Sequence, residues 1–569
     1  MKFQDYVYRR INIDEIRTQV QGFVKELEQA ETYERFSVAF TAVSDVFAHV
    51  WTMGTLNQVR FTINTKDEFL SGEKDFWDQA DPLVEEMKAN VIKVILKSPF
   101  KDELKENVPE TLFLKSEYAL RAFDEKIIPD LQEENRLQSE YDKLIAAAQI
   151  EFNGKTLTLA ALMADMENPD EKTRKAAYEA YWGYMEEHEA TIDDIFDQLV
   201  KVRNKIAKTL GFSTFTELGY IRMNRFGYHE KEVATYRQEV LKDVVPVAQK
   251  LYEAQKKRLG WDTLEGFNEK FLFKTGNPTP KHDKDEMVKI AQKMYHELSP
   301  ATGEFFDFMV ERNLLDLEAK PGKAAGGYCT YLPDFESPFI FSNFNGTSGD
   351  VDVLTHEAGH AFQVYSSRWI RPIDCMFTSS ETAEIHSMSM EFFAWPWMKE
   401  FFGEDAEKYF YYHLASTVQF LPYGVLVDHF QHEVYNNVNM TPKERKDTWR
   451  RLEKQYLPHK NYESLPFLDK GTWWFRQLHI FGYPFYYVDY TLAQVVALQF
   501  WLRLQQKDNQ AFEDYHTICK LGGSRIFTDI IEIANLISPF VEGCLWDVMK
   551  QVDAYLSNID DVALDTVEQ

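Results

Sequence analysis

His356 and His360 stand four residues apart in the run His356-Glu357-Ala358-Gly359-His360. On a helix, positions i and i+4 share one face, so two imidazoles at this spacing can converge on a single ion. Glu357 lies about 100° around the helix from His356, beside such an ion. There its carboxylate can accept a proton from a water that the ion activates. The chain holds 14 histidines, and chance alone gives about 0.03 HExxH strings in such a sequence. The bland alternative is two histidines on a buried helix face with a surface glutamate.

Zinc at a catalytic site takes three protein ligands and keeps a fourth position for water. The extended pattern HExxHxxGxxH does not supply the third, because Gln363 and Ser366 occupy its Gly and His positions. A carboxylate from a second helix is the alternative. The run from Thr378 to Glu391 begins with cap residues and then has helical spacing, with Glu381, Glu384, His386 and Glu391 as candidates. Glu384 follows His356 by 28 residues, enough for a loop and a returning helix. A carboxylate among Ala, Ile, Ser and Met is costly unless it is paired or metal-bound. Glu384 is therefore the favoured ligand, and Glu391 an acceptor for the N–H of a ligand histidine. A solvated surface role for Glu391 remains open.

Further along, His479-Ile480-Phe481-Gly482-Tyr483-Pro484-Phe485-Tyr486-Tyr487-Val488-Asp489-Tyr490 concentrates hydrogen-bond donors. Peptide hydrolysis builds negative charge on the carbonyl oxygen, which phenol or imidazole donors can stabilise. Gly482 and Pro484 keep the segment irregular, and Tyr486 or Tyr487 to Tyr490 could open a helix. An aromatic stripe is otherwise core. His429 and His432 could line a cleft or sit in core or surface positions.

These residues need elements to place them, and most of the chain reads as amphipathic helix. Helical spacing runs from Ile13 to Glu28 behind an Asn12/Asp14 cap, and again over 36–52, 68–96, 111–124, 133–147 and 171–210. Pro278, Pro280 and Pro300 punctuate the middle. One region departs from this pattern: Tyr328–Leu332 and Pro338–Phe344 read as two strands separated by turn residues. Asn345, Gly346 and Thr347 then form a loop, and Ser348 or Asp350 caps a helix from Val351 to Ser366. The expected class is mainly α, with one small β-sheet beside the HExxH helix. No fixed-period repeat is present.

The chain has 569 residues and a formal charge of −28, from 63 basic and 91 acidic side chains. That balance opposes nucleic acid and anionic membranes as partners. Four cysteines in so long a chain do not make a disulfide framework. The N-terminus lacks an apolar signal core, and no uninterrupted apolar run nears the roughly 20 residues of a membrane span. A cytoplasmic location is the expectation. Aromatics reach 15%, more than a core of ordinary composition explains.

Taken together, HEAGH, the AEIHSMSME run, HIFGYPFYYVDY and the approach GGYCTYLPDFESPFIFSNFNGT resemble the zinc oligopeptidases of the thimet oligopeptidase and oligoendopeptidase F type. The closest likeness is to the bacterial oligoendopeptidase F branch with its Pz-peptidase-like enzymes. The resemblance covers about residues 326–490. It implies one Zn2+ held by His356, His360 and Glu384, with Glu357 as general base and then acid. It also implies that His479, Tyr483 and Tyr490 contact the substrate carbonyl or the tetrahedral intermediate. The His479-to-Tyr483 spacing is one residue shorter than the thimet-like pattern, and Tyr486 and Tyr487 compete as donors. The small sheet would offer backbone groups at Gly327 and Tyr328, or at Asn345 and Gly346, to an extended peptide. The family fold has two helical lobes enclosing a deep channel that admits short peptides. The expected division is an N-terminal lobe over 1–195 and a catalytic lobe over 196–569, as a monomer or small homo-oligomer.

The function so implied is endopeptidase cleavage of short oligopeptides by Glu-assisted attack of a zinc-bound water. Collagen-derived peptides and general cytoplasmic peptides are both candidate substrates. A helical HExxH carboxypeptidase is the nearest rival, and it would need Arg368, Arg371 or Arg476 to grip a terminal carboxylate. A non-catalytic peptide-binding module is the rival from another class.

Overall fold

The computed structural model describes residues 1–320, 323–324 and 326–565. Helix accounts for 70% of the chain and strand for 5%, so the mainly helical class holds. Among the described residues the strands are β1 (Ile150–Phe152), β2 (Lys155–Leu157), β3 (Leu315–Glu318), β4 (Tyr328–Leu332) and β5 (Ser337–Phe344). Six of the helices are central to the architecture: α1 (Tyr33–Ile63), α2 (Gly349–Ser367), α3 (Ser380–Phe393), α4 (Ala406–Asn436), α5 (Tyr487–Gln505) and α6 (Ala511–Leu521).

The chain gathers into two compact units, each assembled from three stretches. One comprises Met1–Leu120, Thr279–Ala406 and Val496–Leu536; the other comprises Arg121–Pro278, Glu407–Val495 and Ile537–Gln569. This partition differs from contiguous halves meeting at 195/196. Residue 195 lies inside the helix Glu189–Thr209, where Ile192, Ile195, Phe196 and Leu199 are all buried. A boundary there would cut a packed helix.

In the first unit the sheet has the order β3-β5-β4. β4 pairs antiparallel with β5, from Tyr328 opposite Phe341 to Leu332 opposite Ser337. β3 runs parallel to β5, with Leu315 opposite Ile340. As the central strand, β5 is buried over Ser337–Ser342, which fits its unbroken apolar run rather than an alternating one. Sequence reading missed β3, whose four residues carry too little pattern to register. β5 leads into α2 through a loop fixed by Asp350, whose carboxylate accepts from the N–H of Asn345 at 2.9 Å and of Gly346 at 2.7 Å. Ser348 occupies the cap position without a side-chain cap bond, so of the two expected caps Asp350 does the holding.

α1 is 31 residues long, with a stretch of mean hydropathy 1.2, long and apolar enough to cross a membrane. Asp45 and His49 interrupt it, so it is not the uninterrupted apolar run that the sequence lacks. Phe36, Phe40, Val43, Phe47, Val50 and Leu56 on this helix are buried in the core of the unit, which accounts for its apolarity.

In the second unit β1 and β2 form a hairpin closed by Asn153 and Gly154, both with positive φ, the geometry that a tight Asn-Gly turn favours. α4 continues through an internal proline, Pro422. Buried ion pairs, including Arg203–Glu134 and Arg225–Asp489 (both 2.7 Å), lie within this unit.

Candidate functional site

Two helices place the candidate metal-ligating residues. His356, Glu357 and His360 project from α2, while Glu384 and Glu391 project from α3. The helices cross closely at Gly359: a Cβ there would lie 2.5 Å from the carbonyl oxygen of His386 and 2.7 Å from the Cα of Ser387. Only glycine allows that approach. On its other side α3 is braced by α6, whose Tyr515 hydroxyl donates to the same His386 carbonyl at 2.8 Å.

The crossing gathers His356, His360 and Glu384 so that their ligand atoms all lie within 4.8 Å of one another. Glu384 Oε2 is 3.3 Å from His356 Nε2 and 3.6 Å from His360 Nε2. Ser387 donates its hydroxyl to the same oxygen at 3.0 Å. Of the candidate third ligands, Glu384 joins the two histidines, whereas Glu381 and His386 do not belong to this cluster. Glu391 Oε1 lies 2.6 Å from His356 Nδ1. A carboxylate there holds a proton on Nδ1, so that Nε2 is the nitrogen turned toward Glu384 and His360. Two imidazole nitrogens and one carboxylate oxygen suit zinc, whereas magnesium or calcium would call for oxygen ligands alone.

The electrostatics follow from burial. Glu357 is 7% exposed, and its Oε2 has no hydrogen-bond partner among the described residues. Burial pushes its carboxyl up to about 7; His356 opposes that rise, while Glu384 and Glu391 add to it. Burial pulls His360 down to about 4. It also disfavours the charged form of His356, but hydrogen bonds to Glu384 and Glu391 outweigh it and hold this ring well above its ordinary value. Burial works against the Glu384 carboxylate too, yet His356, His360 and Ser387 keep it below its usual range. The result is a buried carboxyl group beside the three-residue cluster, held above its ordinary range chiefly by burial.

β4 is an edge strand, and its approach passes beside this cluster: a Cβ on Gly327 would be 3.7 Å from Glu357 Oε1. The Trp51 indole donates to the Tyr331 carbonyl at 3.3 Å and so covers the far end of the strand. Tyr328 stacks on Phe341 with ring centres 4.8 Å apart, and its hydroxyl is 2.6 Å from Thr62 Oγ1. The N–H groups of Asn345 and Gly346 are taken by Asp350, so this pair serves the start of α2 instead of facing a peptide.

The second unit holds the aromatic group. Leu478–Gly482 forms a short helix, not the irregular stretch expected around His479. The His479 ring lies 4.9 Å from Tyr487, 5.7 Å from Tyr486, 6.1 Å from Tyr490 and 6.2 Å from Tyr483, centre to centre. Tyr483 is 60% exposed. Burial pulls His479 down to about 4 and pushes the Tyr487 phenol up.

Phe485 anchors this group. Its φ is +68°, a conformation bulky residues rarely adopt. Its N–H donates to Gln431 Oε1 at 2.9 Å, and its carbonyl accepts from Arg225, which also pairs with Asp489 at 2.7 Å. Gly219 faces the ring so closely that a Cβ would lie 2.5 Å from Phe485 Cδ2. Sequence reading missed Gly219, Arg225 and Gln431 because each lies tens to hundreds of residues from the loop it supports. His432, by contrast, is buried against Tyr220 (3.1 Å) and Asp428 (3.4 Å), a core role.

The arginines a carboxypeptidase would need have other partners. Arg368 lies over the Tyr365 ring at 3.6 Å, Arg371 donates to the carbonyl groups of Arg368 and Ile370, and Arg476 lies over Tyr181 and Trp473.

Comparison with known proteins is consistent along the whole chain. The model of the Peptidase M3 N-terminal domain matches residues 3–123, and that of Peptidase family M3 matches residues 164–546. An oligoendopeptidase F homologue from Borreliella burgdorferi is 24% identical over 442 residues, 75% of this chain and 72% of its own. A solved structure of Pz peptidase A with an inhibitor is 48% identical at a TM-score of 0.92, covering 99% of this chain and 100% of that one. Oligoendopeptidase-F from Enterococcus faecium, at 15% identity and a TM-score of 0.65 over 97% of each chain, shares the fold.

Proposed function

The chain belongs to peptidase family M3 and is an oligopeptidase, and from that premise we propose that it is a zinc-dependent endopeptidase cutting internal bonds of short peptides. Family M3 is zinc-dependent in general. The observation that carries the reading here is the cluster of His356, His360 and the buried Glu384 beside a Glu357 carboxylate with an unpartnered oxygen. His356, His360 and Glu384 would hold the ion. Zinc bound there supplies Lewis acidity toward a water and toward the peptide carbonyl.

The remaining chemistry belongs to side chains. Glu391 holds the Nδ1–H of His356, so that Nε2 is the nitrogen that would face the ion. Glu357, poised near neutral pH, takes a proton from the attacking water and delivers it to the leaving amine nitrogen. The edge of β4 suits an extended peptide, whose main chain adds to the sheet and so lies along the strand that approaches Glu357. By the resemblance to the oligoendopeptidase F branch, His479 and Tyr490 would be the donors to a carbonyl oxygen as it gains charge. Since Arg368, Arg371 and Arg476 make other contacts, endopeptidase action is favoured over release of a C-terminal residue.

The test uses a fluorogenic peptide acetylated at one end and amidated at the other. Zinc-loaded wild type should cut it internally, as read by mass spectrometry. Glu357→Gln should keep its zinc while kcat falls at least about a thousandfold, the scale of a lost acid–base group. Cleavage by the metal-loaded variant within tenfold of wild type would remove Glu357 from the mechanism. Failure of amidated peptides alone to react would point to a carboxypeptidase.

A further inference from the structure

We propose that Gln477 and Tyr423 are positioning residues that lock His479 in the neutral tautomer protonated at Nε2, so that the ring acts as a hydrogen-bond donor and not as a base. The proposal rests on the endopeptidase reading, in which His479 meets the peptide carbonyl. It comes from the direction of a chain of hydrogen bonds within the second unit. Gln477 Nε2 lies 2.8 Å from His479 Nδ1, and the Tyr423 hydroxyl donates to Gln477 Oε1 at 2.6 Å.

Each group has a fixed repertoire, and together they allow one direction. The Tyr423 hydroxyl faces Gln477 Oε1, and Gln477 Nε2 faces the imidazole. The single phenolic hydrogen of Tyr423 then goes to an acceptor, which Gln477 Oε1 provides. That orients the carboxamide with its NH2 group toward the imidazole. An NH2 group can only donate, so Nδ1 of His479 must be the unprotonated nitrogen. In a neutral ring the proton therefore sits on Nε2.

Turning the carboxamide over would set its carbonyl oxygen against Nδ1 and call for the reverse tautomer, which the observed placement of Oε1 on Tyr423 and Nε2 on His479 does not. Gln477 is 9% exposed, so water does not readily substitute for either partner. The rings of Tyr483, Tyr486, Tyr487 and Tyr490 surround the imidazole and disfavour the doubly protonated cation.

The arrangement is the reverse of one in which a carboxylate accepts from Nδ1–H and leaves Nε2 free to take a proton. There the histidine serves as a base. A carboxamide donor on Nδ1 removes that option and presents Nε2–H to an oxygen that gains charge. In this chain a carboxylate, Glu391, orients the metal-side His356, and a carboxamide orients His479. The two histidines thus expose opposite functions, a lone pair and a proton, from the same kind of ring.

The experiment is 15N NMR of protein labelled at histidine, zinc-loaded, with His479 assigned by its loss in His479→Gln. Wild type should show an unprotonated Nδ1 and a protonated Nε2. Tyr423→Phe frees the carboxamide to turn. It should give mixed tautomers and lower kcat about tenfold, with KM within about threefold and zinc content unchanged. Gln477→Glu, which can only accept, should move the proton to Nδ1 and lower kcat about a hundredfold. A wild-type ring protonated at Nδ1 overturns the proposal. So does a Gln477→Glu protein with the reversed tautomer and wild-type kcat. The NMR result decides the tautomer whether or not the protein cuts peptides, whereas absent hydrolysis by the zinc-loaded wild type would overturn the endopeptidase reading alone.

Discussion

Glu384 shares one carboxylate oxygen among two imidazoles and the Ser387 hydroxyl, which is why this residue and not Glu381 completes the cluster. That choice was legible in sequence because ligand spacing is local: i and i+4 on one helix, then a carboxylate at a matching height on the next. Glu391 was legible for the same reason, lying seven residues after Glu384 and so on the same face. Gln477 and Tyr423 were not, because 54 residues separate them and an amide carries no motif. Among the donors, Tyr490 lies on the first turn of α5, next to Asp489, which is fixed by Arg225. Tyr490→Phe should lower kcat about a hundredfold while KM moves by no more than about threefold, since the hydroxyl acts mainly on developing charge. Steady-state kinetics on the blocked peptide checks this. An unchanged kcat would transfer the role to Tyr483, Tyr486 or Tyr487.

At the scale of elements, the site depends on how closely α2 meets α3. Sequence periodicity gave both helices within two residues of their observed ends, because each has a cap region and a buried face. It could not give the crossing, which is set by one missing side chain. Gly359→Ala would drive a Cβ into backbone atoms that cannot rotate away. The expected outcome is a loss of about 1–3 kcal/mol in stability and about tenfold weaker zinc binding. Thermal unfolding of the metal-free protein and competition with a chromophoric chelator measure the two separately. Unchanged zinc affinity would mean that the ligands are held independently of the helix spacing.

For the molecule as a whole, composition set the class and the missed features were the non-local ones. Two units woven from three stretches each cannot be read from a chain that has helices throughout and no obvious linker. Acid stability is also a whole-molecule property, since buried neutral histidines must charge on unfolding. Burial brings His429 and His479 down to about 4 in the folded state, with Arg237 assisting at His429. An unfolded histidine titrates near 6.5. Above that pH neither state binds the proton. Between about 6.5 and 4 only the unfolded state takes it up, so stability falls as pH drops through that window. Glu357 and His356, whose folded-state values are raised, act in the opposite sense over the same window, so the His429 share is read by difference. His429→Gln should lose about 1 kcal/mol less than wild type in urea unfolding between pH 7.5 and 5.5, and an identical pH dependence of the two proteins would contradict the assignment. Phe485 has a further consequence. Its left-handed backbone, which costs about 1–3 kcal/mol, persists because Gly219, Arg225 and Gln431 hold ring, carbonyl and amide at once. The tyrosine loop is therefore not a self-contained cassette. A graft of residues 479–490 onto another helical scaffold would keep its shape only if those three supports travelled with it.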